Sequence, residues 1–256
     1  MLKVRVIPTL LWKDIGLVKG ISFNSWRRIG SVLPAVKVFN TRQVDELIIL
    51  NITASQHNAA PDYEMIEEIS SECFVPLTVG GGIKSLDEIK NLLRSGADKI
   101  SINSTAFNNP ELIGKASEKF GSQCIVVSID AKQESDGDYY CYSHSGNMNT
   151  GKKVIDWAKA MEKLGAGEIL LCDIVRDGTM TGYNYELIKR VTDSVSIPVI
   201  ASGGAGNYEH CYQAISLGKA SAVSVSSIFQ FTEQTPLEVK DYLKEHNIPV
   251  RNINIK

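Results

Sequence analysis

No apolar run in this sequence approaches the ~20 residues needed to cross a bilayer, so no membrane span is expected. Cysteine is scarce and scattered. The five residues, at 73, 124, 141, 172 and 211, form no C-x-x-C. An odd, dispersed set implies reduced core thiols and a cytoplasmic setting. The four histidines have no metal-ligand spacing, so no metal and no cofactor are expected. H-x-x-E, Cys-His and Ser-His-Asp arrangements are also missing. Charge of one sign is missing too. A net charge of −2 gives no reason to expect nucleic acid or an anionic membrane as partner. The start, MLKVRVIPTLLWKD, is too short and too soon interrupted by charge for a signal peptide.

What the chain does have is a repeated glycine unit. Residues 76–103, PLTVGGGIKSLDEIKNLLRSGADKISIN, read as strand, glycine turn, helix, strand. Apolar residues at 83, 86, 89, 92 and 93 give a helical spacing, and Gly96 closes the helix. The unit returns 122 residues later in 198–225, with Gly203 and Gly204 falling on Gly81 and Gly82. In that alignment Gly218 falls on Gly96, and Ser226-Ser227 fall on Ser104-Thr105. DELIIL at 45–50 pairs with GEILLC at 167–172, and VRVIPTLL at 4–11 pairs more weakly with QCIVVSID at 123–130. Three ordered pairs imply a duplicated half.

Between these landmarks, strands alternate with helices. Strands are expected at 4–11, 46–52, 77–79, 99–103, 124–130 and 168–174, and two more in the second glycine unit. A long loop is expected over 12–30 and a hairpin excursion over 131–150. A short extra helix is expected at 226–231, a last full helix at 236–246, and a tail over 247–256. Eight strands alternating with eight helices require a parallel sheet. The 256-residue length, the even count and the duplication favour an α/β (β/α)₈ TIM barrel, in one domain spanning 1–256.

The active face of such a barrel collects residues just after each strand. Two sets there have the composition of phosphate cradles: Gly82, Asn103 and Ser104; and Asp177, Gly178, Gly204, Ser226 and Ser227. Glycine lets backbone N–H groups approach an anion closely, although the same glycines also serve to close tight turns. Two symmetric cradles imply a substrate with two phosphates. Asp130 ends the fifth strand and is a candidate general acid or base; an N-cap role is the alternative. Its counterpart in the other half is Leu11, which exchanges no proton. Lys19 joins Asp130 as a catalytic candidate, placed to bridge a phosphate or a substrate ring, unless it is a solvated surface lysine. At the opposite end, Arg5, Glu46, Lys99 and Glu168 each start a strand. They would form a neutral ring of charges, either a structural plug or a gate for a small polar molecule.

These residues sit in segments that resemble one family. VIP at 6–8, LVKG at 17–20, ITAS at 52–55, PLTVGGGI at 76–83, GADKISIN at 96–103, FGSQCIVVSIDAK at 120–132, RDGT at 176–179 and IPVIASGGAGN at 197–207 carry it. Over essentially its whole length the chain is similar to the cyclase subunit (HisF) family of imidazole glycerol phosphate synthase. That resemblance implies a barrel that takes ammonia from a glutaminase subunit docked at its bottom face. It assigns Arg5, Glu46, Lys99 and Glu168 to the ammonia gate and Asp98 to partner docking. It assigns the two cradles to a bisphosphate ribonucleotide. The family's catalytic aspartates end strands one and five; here they are Leu11 and Asp130. The family's aspartate after strand two is Asn51, and Val175 stands where a carboxylate is expected. An entrance kept beside altered chemistry resembles a paralogous group found with surface-polysaccharide genes. There ammonia serves amidation or amidination of a sugar, and the resemblance adds a third, synthetase-like protein as a partner. An authentic cyclase of histidine synthesis and a non-catalytic ammonia-conducting adaptor are the competing readings.

Overall fold

The computed structural model of the protein describes residues 3–14 and 16–251. Its twelve strands are β1 (Arg5–Lys13), β2 (Gly16–Ile21), β3 (Asn24–Gly30), β4 (Leu47–Asn51), β5 (Leu77–Gly80), β6 (Lys99–Ile102), β7 (Ile125–Gln133), β8 (Tyr139–Ser143), β9 (Met148–Lys153), β10 (Glu168–Asp173), β11 (Val199–Ser202) and β12 (Ala222–Val225). Eight of them close a parallel barrel in the order β1, β4, β5, β6, β7, β10, β11, β12 and back to β1. The expected (β/α)₈ barrel is the fold of the protein.

Local chemistry explains the helices between the strands. Ser85 and Glu88 form a capping box at the start of Leu86–Arg94, which is why that helix begins three residues later than the apolar spacing alone suggests. Asp62, Asn184 and Asn207 cap Tyr63–Glu72, Tyr185–Thr192 and Tyr208–Ser216, each stabilising its helix by about 1 kcal/mol. Thr235, with Pro236 in the first turn, does the same for Pro236–Glu245. The buried faces of these helices pack on the outside of the barrel.

Inside the barrel, Ile7, Ile48, Val126, Leu170, Ile200 and Ala222 form a separate apolar layer. This layer divides a charged bottom from a polar top. The last helix is fastened to the bottom by Lys240, whose Nζ lies 2.7 Å from Asp45 Oδ1. Both side chains are about fully buried, at 2% and 1% exposure. Asp45 Oδ2 also accepts from the Val6 amide at 2.8 Å, so one carboxylate ties the closing helix to β1.

Four expectations need correction. Residues 12–30 are not a loop: β1 runs on to Lys13, and β2 and β3 form an antiparallel hairpin. Its turn places Ser22 at φ 50° and Phe23 at φ 59°. Hairpin turns of that kind favour Asn-Gly or Asp-Gly, so Ser-Phe gave no signal. Secondly, the short extra helix expected at 226–231, observed as Ser227–Phe231, has an unexpected twin in Ser104–Asn108, just before the helix Glu111–Phe120. Thirdly, the halves slip by one residue after the second glycine turn. Lys219, at φ 59°, takes the left-handed place that Gly96 holds at φ 101°. Ser226 therefore matches Asn103, and Ser227 matches Ser104. Fourthly, part of the expected tail is tied down, because Val4 N donates to Pro249 O at 2.8 Å and Val4 bridges to Val250. Residues 252–256 of that tail lie outside the described residues. The hairpin expected over 131–150 is β8 and β9, so both halves carry a hairpin after their first barrel strand.

Candidate functional site

The two ends of the barrel axis carry different chemistry. At the bottom, Arg5 Nη1 lies 2.6 Å from Glu46 Oε1, and Arg5 Nη2 lies 2.7 Å from Glu168 Oε1. Lys99 Nζ closes the square at 3.0 Å from Glu46 and 2.9 Å from Glu168. Each of the four expected residues thus bonds two others in one neutral ring. Burial works against the Arg5 charge, but Glu168 and Glu46 outweigh it and hold its pKa above the ordinary value. Asp98 is exposed beside this ring, with Oδ2 accepting from the Leu77 amide at 2.8 Å.

At the top, all of the expected substrate residues line one pocket. It encloses about 1110 Å³ of space, solvent at its mouth included. Gly82, Asn103 and Ser104 lie on one side; Gly178, Gly204, Ser226 and Ser227 lie on the other. All three of these glycines are sterically required: a Cβ on Gly178, at φ 75°, would sit 2.0 Å from Gly20 O. A Cβ on Gly204 would sit 2.2 Å from Gly182 O, and one on Gly82 would sit 2.5 Å from Ala59 O, both at positive φ. The Ser104 hydroxyl already accepts from the His144 amide at 2.9 Å, which links the first cradle to the β8–β9 hairpin.

Asp177 and Lys19 are found together. Lys19, only 3% exposed, places Nζ 2.9 and 3.0 Å from the two Asp177 oxygens. The surface-lysine alternative is therefore excluded, and Asp177 faces the cradle as one half of an ion pair with Lys19. The β2–β3 hairpin that carries Lys19 is also stitched to this corner by Ser22 N, which donates to Asp177 O at 2.7 Å. Arg27 stacks over Phe231 at 3.7 Å from the ring centroid. Phe23 and Trp26 of the same hairpin line the pocket; reading 12–30 as a loop missed both.

Asp130 and Leu11 line the pocket from equivalent places on β7 and β1. Asn103 Nδ2 donates to Asp130 Oδ2 at 3.0 Å. Burial, with the nearby Asp177 charge, pushes the Asp130 pKa up to about 7. A carboxyl poised there can take or give a proton near neutrality. Leu11, 8% exposed, offers only apolar surface. Asn51 is different. Its Oδ1 accepts from the amides of Thr53 and Ala54, at 3.1 and 3.0 Å. Asp173, its counterpart on β10, closes the same turn by accepting from Val175 and Arg176. An amide serves that purpose as well as a carboxylate, so Leu11 is the more consequential departure. Val175 is exposed at the rim. Among the described residues, no group of three His, Cys, Asp or Glu is placed to hold a metal, and no helix is long and apolar enough to cross a membrane.

The raised Asp130 pKa has a stability consequence. The folded chain keeps a proton that the unfolded chain releases between about pH 4 and pH 7, so ionisation there costs stability as pH rises. Asp130→Asn removes that cost. In urea titrations the variant is expected to gain about 2–4 kcal/mol on the parent between pH 4 and pH 8. A difference that stays flat across that window would show an ordinary carboxylate.

A family model described as "Histidine biosynthesis protein" matches residues 5–235. The chain is 45% identical over 251 residues to the imidazole glycerol phosphate synthase subunit HisF of Chlorobaculum parvum, covering 98% of this chain and 100% of that one. It is 46% identical over 253 residues to the HisF subunit of Endomicrobium trichonymphae, covering 99% and 97%. With the HisF subunit of Trichormus variabilis it shares 44% identity over 254 residues, covering 98% and 99%.

Proposed function

The chain belongs to the histidine biosynthesis protein family, among the HisF subunits, and from that premise we propose that it is the ammonia-accepting subunit of a glutamine amidotransferase. The observation that carries this reading is the pairing of a closed ionic ring at one end of the barrel with a glycine- and serine-lined pocket at the other. A buried ionic ring costs desolvation and is weak evidence for stability. Its presence beside an altered catalytic pair favours a role in passage or docking. A glutaminase subunit docks at the bottom face, with Asp98 in the contact. Ammonia enters past Lys99 and reaches the pocket. The two cradles hold the phosphates of the acceptor. Asp130 moves the proton, and Lys19 fixes Asp177 at the second cradle.

The acceptor differs from the family's bisphosphate ribonucleotide, because Leu11 supplies no second carboxylate. A phosphate-linked sugar of surface polysaccharide, amidated or amidinated here or by a third, synthetase-like protein, suits the two cradles. The full-length similarity to HisF subunits favours a second reading, cyclisation in histidine synthesis by Asp130 alone. General acid–base help is worth roughly 10²–10⁴-fold per group, so that reading requires a slow enzyme.

The amidotransferase reading is tested at the ring. With the glutaminase partner present, Asp98→Ala is expected to weaken stimulation of glutamine hydrolysis at least about fivefold, a coupling of roughly 1 kcal/mol. Lys99→Ala is expected to leave the partner bound but to release ammonia to solvent instead of product. If neither variant changes stimulation or coupling, the ring is a structural plug.

A further inference from the structure

The second cradle is carried by a loop that is latched behind the pocket. The loop runs from Asp173, the last residue of β10, to Asn184, which caps the helix Tyr185–Thr192. Asp177 and Gly178 lie within it. Its far half braces the other glycine of the cradle, because Gly182 N donates to Gly204 O at 2.8 Å. The two ends are joined by their side chains. Asn184 Nδ2 donates to Asp173 Oδ2 at 2.7 Å, and Asp173 Oδ1 accepts from the amides of Val175 and Arg176 at 2.9 and 3.2 Å. Asp173 is 7% exposed, and these three donors are uncharged. A buried carboxylate held in that way loses heavily when one donor is removed. Neither Asp173 nor Asn184 lines the pocket itself.

Residue 184 has two tasks. As a helix cap, asparagine and aspartate serve about equally. Asn184 Oδ1 accepts from the Leu187 amide at 3.1 Å, which turns Nδ2 toward Asp173. Nδ2 also donates to Tyr139 Oη at 2.9 Å, so both polar atoms of the amide are in use and its orientation is fixed. An aspartate at 184 would cap the helix as well, but it would set a second carboxylate against Asp173 with no proton between them. The cap alone does not call for an amide; the carboxylate behind the cradle does. Counting back 122 residues from Asp173 and Asn184 reaches Asn51 and Asp62, the same two places with amide and carboxylate exchanged. We propose that Asp173 and Asn184 are positioning residues for the second phosphate of the acceptor, acting through the turn that presents Asp177 and Gly178. The inference rests on the two-phosphate reading of the pocket and adds the latch that sets one of its cradles. Asp177 N donates to Asp173 O at 3.0 Å, so a shift of Asp173 is passed directly to the cradle.

The test uses inorganic phosphate as the probe. In NMR titrations of the full chain, the backbone amides of Gly82 and Gly204 report the two cradles separately. Phosphate is expected to shift both amides in the parent. Asn184→Asp keeps the helix cap and is expected to weaken binding at Gly204 at least about tenfold, the scale of one lost hydrogen bond to a charged group, while the affinity at Gly82 stays within about twofold. Adding Asp173→Asn again sets one amide against one carboxylate, and is expected to return the Gly204 affinity to within about threefold of the parent. Unchanged affinity at Gly204 in Asn184→Asp overturns the positioning role alone. An equal loss at both glycines also overturns it, as does a double variant no better than the single one. A parent in which phosphate leaves the Gly204 amide unmoved overturns the two-phosphate reading and this inference with it.

Discussion

Leu11→Asp, combined with Asn51→Asp, is expected to raise cyclisation of the family's bisphosphate ribonucleotide by roughly 10²–10⁴-fold above the parent, with ammonium salt as nitrogen source. The expectation follows from the geometry of the halves. Leu11 occupies on β1 the place that Asp130 occupies on β7, and both face the same pocket. A new carboxyl at 11 enters a site that already holds Asp130 and Asp177, so its pKa rises by desolvation and by their charge. That shift brings it toward neutrality, where a proton-transfer group is effective. Asn51→Asp keeps the turn closed, since the new carboxylate accepts from Thr53 and Ala54 as the amide does. A double variant that binds the substrate and gains no rate would place the loss elsewhere. Val175 and the β8–β9 hairpin are then the next positions to restore.

Lys240→Met is expected to destabilise the fold by about 3–5 kcal/mol, the usual cost of leaving one partner of a buried ion pair unpaired. Asp45 cannot reach water in compensation, because it is 2% exposed and also holds the Val6 amide. Adding Asp45→Asn is expected to recover most of the loss. The asparagine carries no charge, and its carbonyl still accepts from Val6. Urea unfolding of the two variants checks this through their midpoints at constant slope. Equal instability of single and double variants would mean that packing of the lysine stem matters more than the pair. Asp45 immediately precedes Glu46 of the ionic ring, so the same measurement reports how firmly the barrel bottom is held.

Much of this was legible because the fold repeats itself. The glycine units at 80–82 and 203–204, each followed by a helix and a strand, announce two half-barrels, and alternation from Lys99 to Asn103 aims three side chains inward. The ring followed from Arg5, Glu46, Lys99 and Glu168 each standing at the start of an expected strand. The β2–β3 hairpin did not, because its turn uses Ser22 and Phe23 at positive φ, where no glycine or asparagine marks the place. Missing the hairpin hid Phe23 and Trp26 from the pocket and left Lys19 between surface and site. The one-residue slip before β12 was hidden for a related reason. Lys219 adopts a backbone conformation that sequence reasoning reserves for its neighbour Gly218. Five hydroxyl side chains from five strands, Thr9, Ser101, Ser128, Ser202 and Ser224, also line the pocket, and no local spacing connects Thr9 to Ser224. The Asp45–Lys240 pair spans most of the chain, and each residue reads in isolation as a solvated charge.

The central claim is that this barrel keeps the ammonia entrance of its family while serving a different acceptor. It is tested most directly by expressing the chain in a bacterium that lacks its own HisF subunit but retains the glutaminase, on medium without histidine. The expected result is no growth from the parent chain, under conditions where an authentic HisF subunit restores it. Robust growth from the parent chain would contradict the claim and establish cyclisation with Leu11 in place.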